Sequence, residues 1–395
     1  MLDPDRFITD RLRAFDASGI RRVFDLAADL QDPVNLSIGQ PDFDVPQPIK
    51  AAACDAIQQG LNSYTQTQGT AALRQRISAQ LQREFPDTLA PSGDLPDDTS
   101  LLITSGVSGG LLLTLLTCAG PGDEVLIPDP YFVMYRQLVK LSGATPVLVD
   151  TYPDFQLTPE RIEPLITERT KLLLTNSPSN PTGAVAPPEL CRQWVELVEK
   201  HGLLLVSDEI YDEFCYEKVP TADGTARCPS PLADSRHLLL LRGFSKTYAM
   251  TGWRLGYALG PKPIIEQMTK LQQYSFVCAP SITQEAGITA LDVDMSEYVA
   301  HYQRKRDRVV EMLSPHFELT TPGGAFYAFP KVPDHLNMTA SQFVEKAIGQ
   351  GLLIIPGNVF SERDTHFRLS YACNDDTLQR GLDMLVALAK SSAPV

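Results

Sequence analysis

From about residue 100 the chain alternates short apolar runs with longer amphipathic ones, and no other feature of the sequence constrains its fold as strongly. Apolar runs of four to eight residues read as strands buried on both faces, and amphipathic stretches between them read as covering helices. The alternation therefore predicts an α/β fold: a mostly parallel sheet flanked by helices, with a smaller α+β domain after it. Strands are expected at residues 101–104, 124–127, 146–149, 171–175, 203–207 and 237–241. One intervening helix is sharply marked. It opens after Pro187 and Pro188, carries Leu190, Trp194, Val195, Leu197 and Val198 at helical spacing, and stops at Gly202.

After roughly residue 285 the pattern changes. A long helix through Tyr298, Tyr302 and Val309 precedes short strands expected at 317–320 and 325–329, a further helix, and a strand near 367–371. The first 40 or so residues show no strand pattern that would pair within the large sheet. The expected division is thus a segment at 1–44 folded on the smaller domain, a large ligand-binding domain at 45–285 and the small domain at 286–395. Residues 86–100, rich in Pro, Asp, Ser and Gly, read as a surface loop.

Charge and cysteine content narrow the function. A net charge of -14 argues against nucleic-acid or anionic-membrane binding, so arginines set among apolar residues read as local anion sites for a small substrate. Seven scattered cysteines without a Cys-x-x-Cys fit reduced thiols in a cytoplasmic enzyme, with no metal expected. The start of the chain lacks the basic-then-apolar order of a signal peptide, and no apolar run reaches the ~18 residues of a membrane span.

Ligands of such sheets gather at the carboxyl ends of the strands. There the sequence clusters its polar residues: Ser105 and Gly106, residues 176–183, residues 208–211, and Ser245 with Lys246. Lys246 follows a hydrophobic strand, where burial lowers an amine's pKa and frees it as a nucleophile. Arg254, eight residues on, suits a phosphate, and Asp208, ending another apolar run, suits a buried cation. Taken singly, each has a plainer reading. Asp208 could cap a helix or join an exposed acidic face with Glu209, Asp212 and Glu213; residues 176–183 could be only a turn; Phe132 and Tyr135 could be core aromatics.

Six ordered segments resolve these alternatives: 35–43 (NLSIGQPDF), 64–69 (YTQTQG), 176–183 (NSPSNPTG), 207–211 (SDEIY), 241–257 (LRGFSKTYAMTGWRLGY) and 367–371 (FRLSY). Together they resemble the class I/II aminotransferases of the pyridoxal-phosphate fold type I group, over most of the chain. The resemblance implies pyridoxal 5'-phosphate as cofactor, with Lys246 as its Schiff-base lysine and Asp208 as counter-ion to its ring nitrogen. Asn180 and Tyr211 would bond its phenolic oxygen, and Lys246, Asp208 and Tyr211 would be the catalytic residues. Ser105, Gly106, Val107, Ser245 and Arg254 would hold the phosphate, Phe132 would stack on the ring, and Asn176 would join the cofactor site. Tyr64 would reach the cofactor phosphate of a second subunit in a homodimer. Arg368 would grip the substrate α-carboxylate, with Asn180 and the Gly39 backbone assisting.

Two positions depart from the family pattern. Gly243 stands where many relatives carry a phosphate-binding serine, and Ser108 stands where some aspartate-preferring relatives carry a lysine. The second departure, with Phe132, Tyr135 and the segment 268–280, favours a neutral or aromatic amino acid as donor and 2-oxoglutarate as acceptor; aspartate is the alternative. A rival of another class also fits the sequence. Residues 106–110 match Gly-x-Ser-x-Gly between a strand and a helix, which makes Ser108 a candidate hydrolase nucleophile with Asp292 or Asp294 and His316, His335 or His366. Loops at 12–20 and 357–361 are candidates for reading the substrate side chain.

Overall fold

The computed structural model describes residues 3–13, 15, 30, 32–90, 93–221 and 224–391. The strands run in the order β1 Val34–Asn35, β2 Thr99–Thr104, β3 Glu124–Asp129, β4 Thr145–Asp150, β5 Thr170–Asn176, β6 Leu204–Asp208, β7 Val219–Pro220, β8 Ala226–Arg227, β9 Leu239–Gly243, β10 Gly256–Pro261, β11 Tyr327–Ala328, β12 Leu352–Leu353, β13 Ile355–Pro356 and β14 Phe367–Ser370. Seven of them form the main sheet in the order β2-β10-β9-β6-β5-β3-β4. All six strands expected for this sheet are present, within two residues of the expected bounds.

Period-two alternation explains why the sheet is covered on both faces. In β2, Leu101 and Ile103 enter one apolar layer and Leu102 the other; in β5, Leu173 is opposed to Leu172 and Leu174. Each such side chain, fully buried, contributes about 1.5–3 kcal/mol of transfer free energy. The Pro188–His201 helix fills one layer with the residues its sequence marks, and Gly202 ends it at φ 65°. The Gly106–Cys118 helix is apolar on nearly every side and packs in the other layer.

The seventh strand, β10, was not anticipated. It runs antiparallel to both neighbours, β9 and β2. Glycines at 256 and 260 make its sequence read as turn, yet they are what lets it fit: a Cβ at 256 would lie 2.8 Å from the Gly106 carbonyl carbon. Further differences lie in the C-terminal part. Residues 317–320 form no strand, and the strand expected at 325–329 is confined to Tyr327–Ala328. Pro322, Gly323 and Gly324 interrupt extension, and Ala325 sits at φ 53°, outside the extended region. Within the supposed loop at 86–100, Pro86–Leu89 is a short helix with Leu89 buried and Thr99–Ser100 already belong to β2.

A second apolar cluster gathers around β11, β14 and β13, with the Ser296–Leu313, Ala340–Gly349 and Asp375–Ala389 helices against it. β1 pairs in parallel with β12, Val34 opposite Leu352, and the chain continues so that Leu36 O accepts from Ser370 N at 2.7 Å. Residues 34–37 are thereby threaded beside β14. Residues 16–29, including most of the 12–20 loop, lie outside the described part.

Candidate active site

Strand register assembles the first half of the site. Asn176 is opposite Asp208 across β5 and β6, and Asp208 is opposite Leu241 across β6 and β9, so these residues share one row at the carboxyl edge. Asp208 is buried; its Oδ1 accepts from Ile210 N at 3.2 Å and its Oδ2 from the Tyr135 hydroxyl at 2.7 Å. Burial pushes the carboxyl up to about 6, against the pull of the Tyr135 hydrogen bond. Glu209 is no part of an exposed acidic face. It is buried, and one carboxylate oxygen takes both Nε and Nη2 of Arg242, at 3.0 and 2.9 Å. The helix that Asp208 might have capped does not form, since only a three-residue turn at Asp212–Phe214 follows.

The Asn176–Gly183 segment is a platform rather than a free turn. Asn176 donates to Asp208 O at 3.0 Å and accepts from Asn180 N at 2.9 Å, which binds the segment to the strand end. Gly183, at φ 73°, lies under β11; a Cβ there would come within 2.7 Å of Tyr327 O.

Lys246 stands three residues past β9, its Nζ donating to Gly39 O at 2.7 Å. Burial, then the cations Arg368 and Arg254, hold its amine down at about 8, while Asp208 works the other way. A lysine at that value is substantially neutral at mildly alkaline pH and able to attack a carbonyl. Arg254, in the left-handed region at φ 57°, donates to Thr251 O at 3.0 Å. Gly106, at φ 67°, is required beside it, because a Cβ would lie 2.5 Å from Arg254 Nη2. The guanidinium, Ser245 and the first turn of the Gly106–Cys118 helix thus meet at one corner of positive character. Gly243 cannot carry the serine of relatives without crowding, since a Cβ would sit 3.1 Å from Val107 and 3.2 Å from Leu255 O.

Arg368, on β14, is buried at 2% exposure. It donates to Asn180 Oδ1 at 3.1 Å and Ser37 O at 2.8 Å, and lies 4.6 Å from the Tyr327 ring and 4.7 Å from the Phe360 ring. Its Nε has no partner, and among the described residues no carboxylate pairs with it. Burial pushes this guanidinium's pKa down. A buried cation facing a cavity without an anion is a costly arrangement that an anionic ligand would relieve.

These groups share a cavity of about 410 Å³. Gly39, Val107, Phe132, Asn176, Asn180, Asp208, Tyr211, Ser245, Lys246, Arg254 and Arg368, all anticipated, line it. Ser105 and Gly106 do not; they lie behind Arg254, whose Nη2 approaches Ser105 O at 3.5 Å. Tyr64 is 84% exposed and contributes nothing to the cavity of its own chain. Of two further lining tyrosines, Tyr135 entered the sequence reading only as a core aromatic and through the donor preference, and Tyr327 was missed. Tyr135 lies one helical turn beyond Phe132, their rings edge to face at 5.6 Å, a spacing the sequence does display. Tyr327, whose hydroxyl is 3.0 Å from that of Tyr211, arrives from β11 with no local signal.

The hydrolase alternative is not assembled. Ser108 lines the cavity, but no described histidine does. His335 bonds Ala389 O, His366 bonds Thr365, Asp292 pairs with Arg76, and Asp294 caps Ser296.

A family model described as Aminotransferase class I and II matches residues 31–385. A putative aminotransferase of Bacillus subtilis (strain 168) is 36% identical over 384 residues, 95% of this chain and 96% of the relative. The aromatic-amino-acid aminotransferase 2 of Thermococcus litoralis is 33% identical over 395 residues, 97% of this chain and 98% of the relative. Among solved structures, the aspartate aminotransferase of Thermus thermophilus with maleate superposes with a TM-score of 0.87 at 34% identity, covering 96% of this chain and 99% of that one.

Proposed function

Because the chain belongs to the class I and II aminotransferase family, we propose that it moves an amino group from a neutral or aromatic L-amino acid to 2-oxoglutarate, using pyridoxal 5'-phosphate carried on Lys246. The family depends on that cofactor, and the residues present fit it. A buried carboxylate faces the cavity for a protonated ring nitrogen, an amine of lowered pKa is available for the aldehyde, and an arginine beside a helix start suits the phosphate. Phe132 and Tyr211 supply a ring face and a hydroxyl on the same cavity wall.

When bound, pyridoxal phosphate supplies an electron sink for the pair left when the substrate's Cα–H bond breaks. The rest is work for the chain. Asp208 would keep a proton on the ring nitrogen, Lys246 Nζ, once the substrate amine has taken its place on the cofactor, would accept the proton from Cα and deliver it to the cofactor's C4′, and Arg368 would orient the α-carboxylate. Donor and acceptor would use the same Arg368 in turn, as a ping-pong exchange requires.

The observation that carries this reading is Arg368, a buried guanidinium with an unpartnered Nε on the same cavity as Lys246 and Asp208. The donor class is supported by the wall. Lys246, Arg254 and Arg368 are the cations among its described residues, each already has a role, and the part-exposed Ile38 and Phe132 supply apolar surface. The division into a 45–285 domain and a 286–395 domain carrying residues 1–44, the cytoplasmic setting and the homodimer belong to the same proposal. A donor screen tests it: phenylalanine or tyrosine should match or exceed aspartate. Aspartate ahead by more than about tenfold in kcat/KM, roughly 1.4 kcal/mol, would overturn the choice of donor.

A further inference from the structure

We infer that Tyr327 is a positioning residue, one that strengthens the hydrogen bond Tyr211 gives to the cofactor's phenolic oxygen. The inference rests on the function proposed above, in which Tyr211 reaches that oxygen. Among the described residues the Tyr211 hydroxyl has one hydrogen-bond partner, the Tyr327 hydroxyl at 3.0 Å, and the two rings meet edge to face at 5.8 Å. Both are buried. A phenol has one proton; if Tyr211 donates its own to the cofactor, the contact with Tyr327 requires Tyr327 to be the donor. A hydroxyl that accepts a hydrogen bond becomes a stronger donor, by about 10–30% in such chains.

Tyr327 is well held for this role. Its backbone is registered to Ser370 in β14, and the Arg368 guanidinium covers its ring at 4.6 Å. Its hydroxyl fits against Gly39, where a Cβ would lie 2.7 Å away, so position 39 admits no side chain unless the phenol moves.

The effect should be readable at Lys246. Once bonded to the cofactor, its nitrogen keeps a proton by sharing it with the phenolic oxygen, and a stronger donor to that oxygen competes for it. Removing the Tyr327 hydroxyl therefore makes the nitrogen hold its proton to higher pH. The test uses the cofactor-loaded enzyme and the pH midpoint of its visible colour change. Tyr327→Phe, which keeps the ring under Arg368, should raise the midpoint by about 0.5 unit. Tyr211→Phe should raise it further, and the double variant should add nothing to Tyr211→Phe alone. An unchanged midpoint in Tyr327→Phe, or a shift that simply adds in the double variant, would overturn the inference. Borohydride labelling in the same samples separates the two levels: label on Lys246 with no shift refutes Tyr327 alone, and label on another lysine removes the proposed site and this inference with it.

Discussion

Replacing Arg368 by leucine separates a functional cation from a structural one, because the two roles predict opposite balances of activity and stability. The guanidinium is 2% exposed, donates to Ser37 O and Asn180 Oδ1, and has no acidic partner among the described residues. Losing those donors leaves two acceptors short, at about 1–3 kcal/mol each. Against that, an uncompensated buried charge disappears, a relief of several kcal/mol. The free protein should therefore unfold within about 2 kcal/mol of the parent. Turnover should behave differently. A bound carboxylate loses a buried, hydrogen-bonded charge partner, which costs roughly 2–5 kcal/mol and lowers kcat/KM by about 30- to several thousand-fold. The assay is kcat/KM for three donors with unlike side chains and for the oxo acid, beside denaturant unfolding of the cofactor-free protein. Equal losses across all substrates are expected, since the α-carboxylate is common to them. Losses confined to one donor, or a strongly destabilised protein whose folded fraction turns over normally, would show that Arg368 is a strut and not the carboxylate site.

Other predictions follow from the pKa shifts and from the exposed lip of the molecule. Cofactor uptake by the cofactor-free protein should rise about tenfold per pH unit and level off above about 8, where the Lys246 amine is neutral; Lys246→Ala should lose borohydride-fixed label, and uptake with a flat pH profile would contradict the role. Asp208→Ala should keep some cofactor yet lose several orders of magnitude in transamination, and near-normal turnover would disprove the pairing of carboxylate and ring nitrogen. Cofactor affinity of the free protein should fall as pH drops through about 6 and Asp208 becomes protonated; Tyr135→Phe, by removing the hydrogen bond that pulls this value down, should start the fall at higher pH. Tyr64, 84% exposed, should complete the site of a second copy, and sedimentation that finds a fully active monomer at assay concentration would exclude that.

What could be read from the sequence depended on whether a residue's role is local. Asp208, Asn176 and Lys246 stand where apolar runs end, and strand ends point into the ligand-binding edge whatever the rest of the chain does. The Pro188–His201 helix was legible for a similar reason, its caps and apolar spacing all lying between Pro187 and Gly202. β10 was not, because its identity as a strand comes from neighbours on both sides while its own glycines imitate a turn. Tyr327 is the extreme case. Its meaning depends on Tyr211, Gly39 and Arg368, drawn from three distant parts of the chain. Glu209 misled in the opposite direction, since an acid grouped with three others looks solvent-exposed until Arg242 is placed against it.

The threading of residues 34–37 beside β14 sets an order of events for the newborn chain. β1 finds its partner β12 more than three hundred residues later, and Ser37 finds Arg368 later still. During synthesis the large sheet has all its strands once residue 261 has emerged, with Lys246 in place but the carbonyl of Gly39, which caps its amine, not yet anchored. Contacts so remote along the chain are slow to form, because loop closure must come before any pairing repays it. Lys246 therefore meets its Gly39 partner, and Arg368 its Ser37 partner, only when strands from the two ends of the chain come together, so the cavity is completed by the last contacts to close.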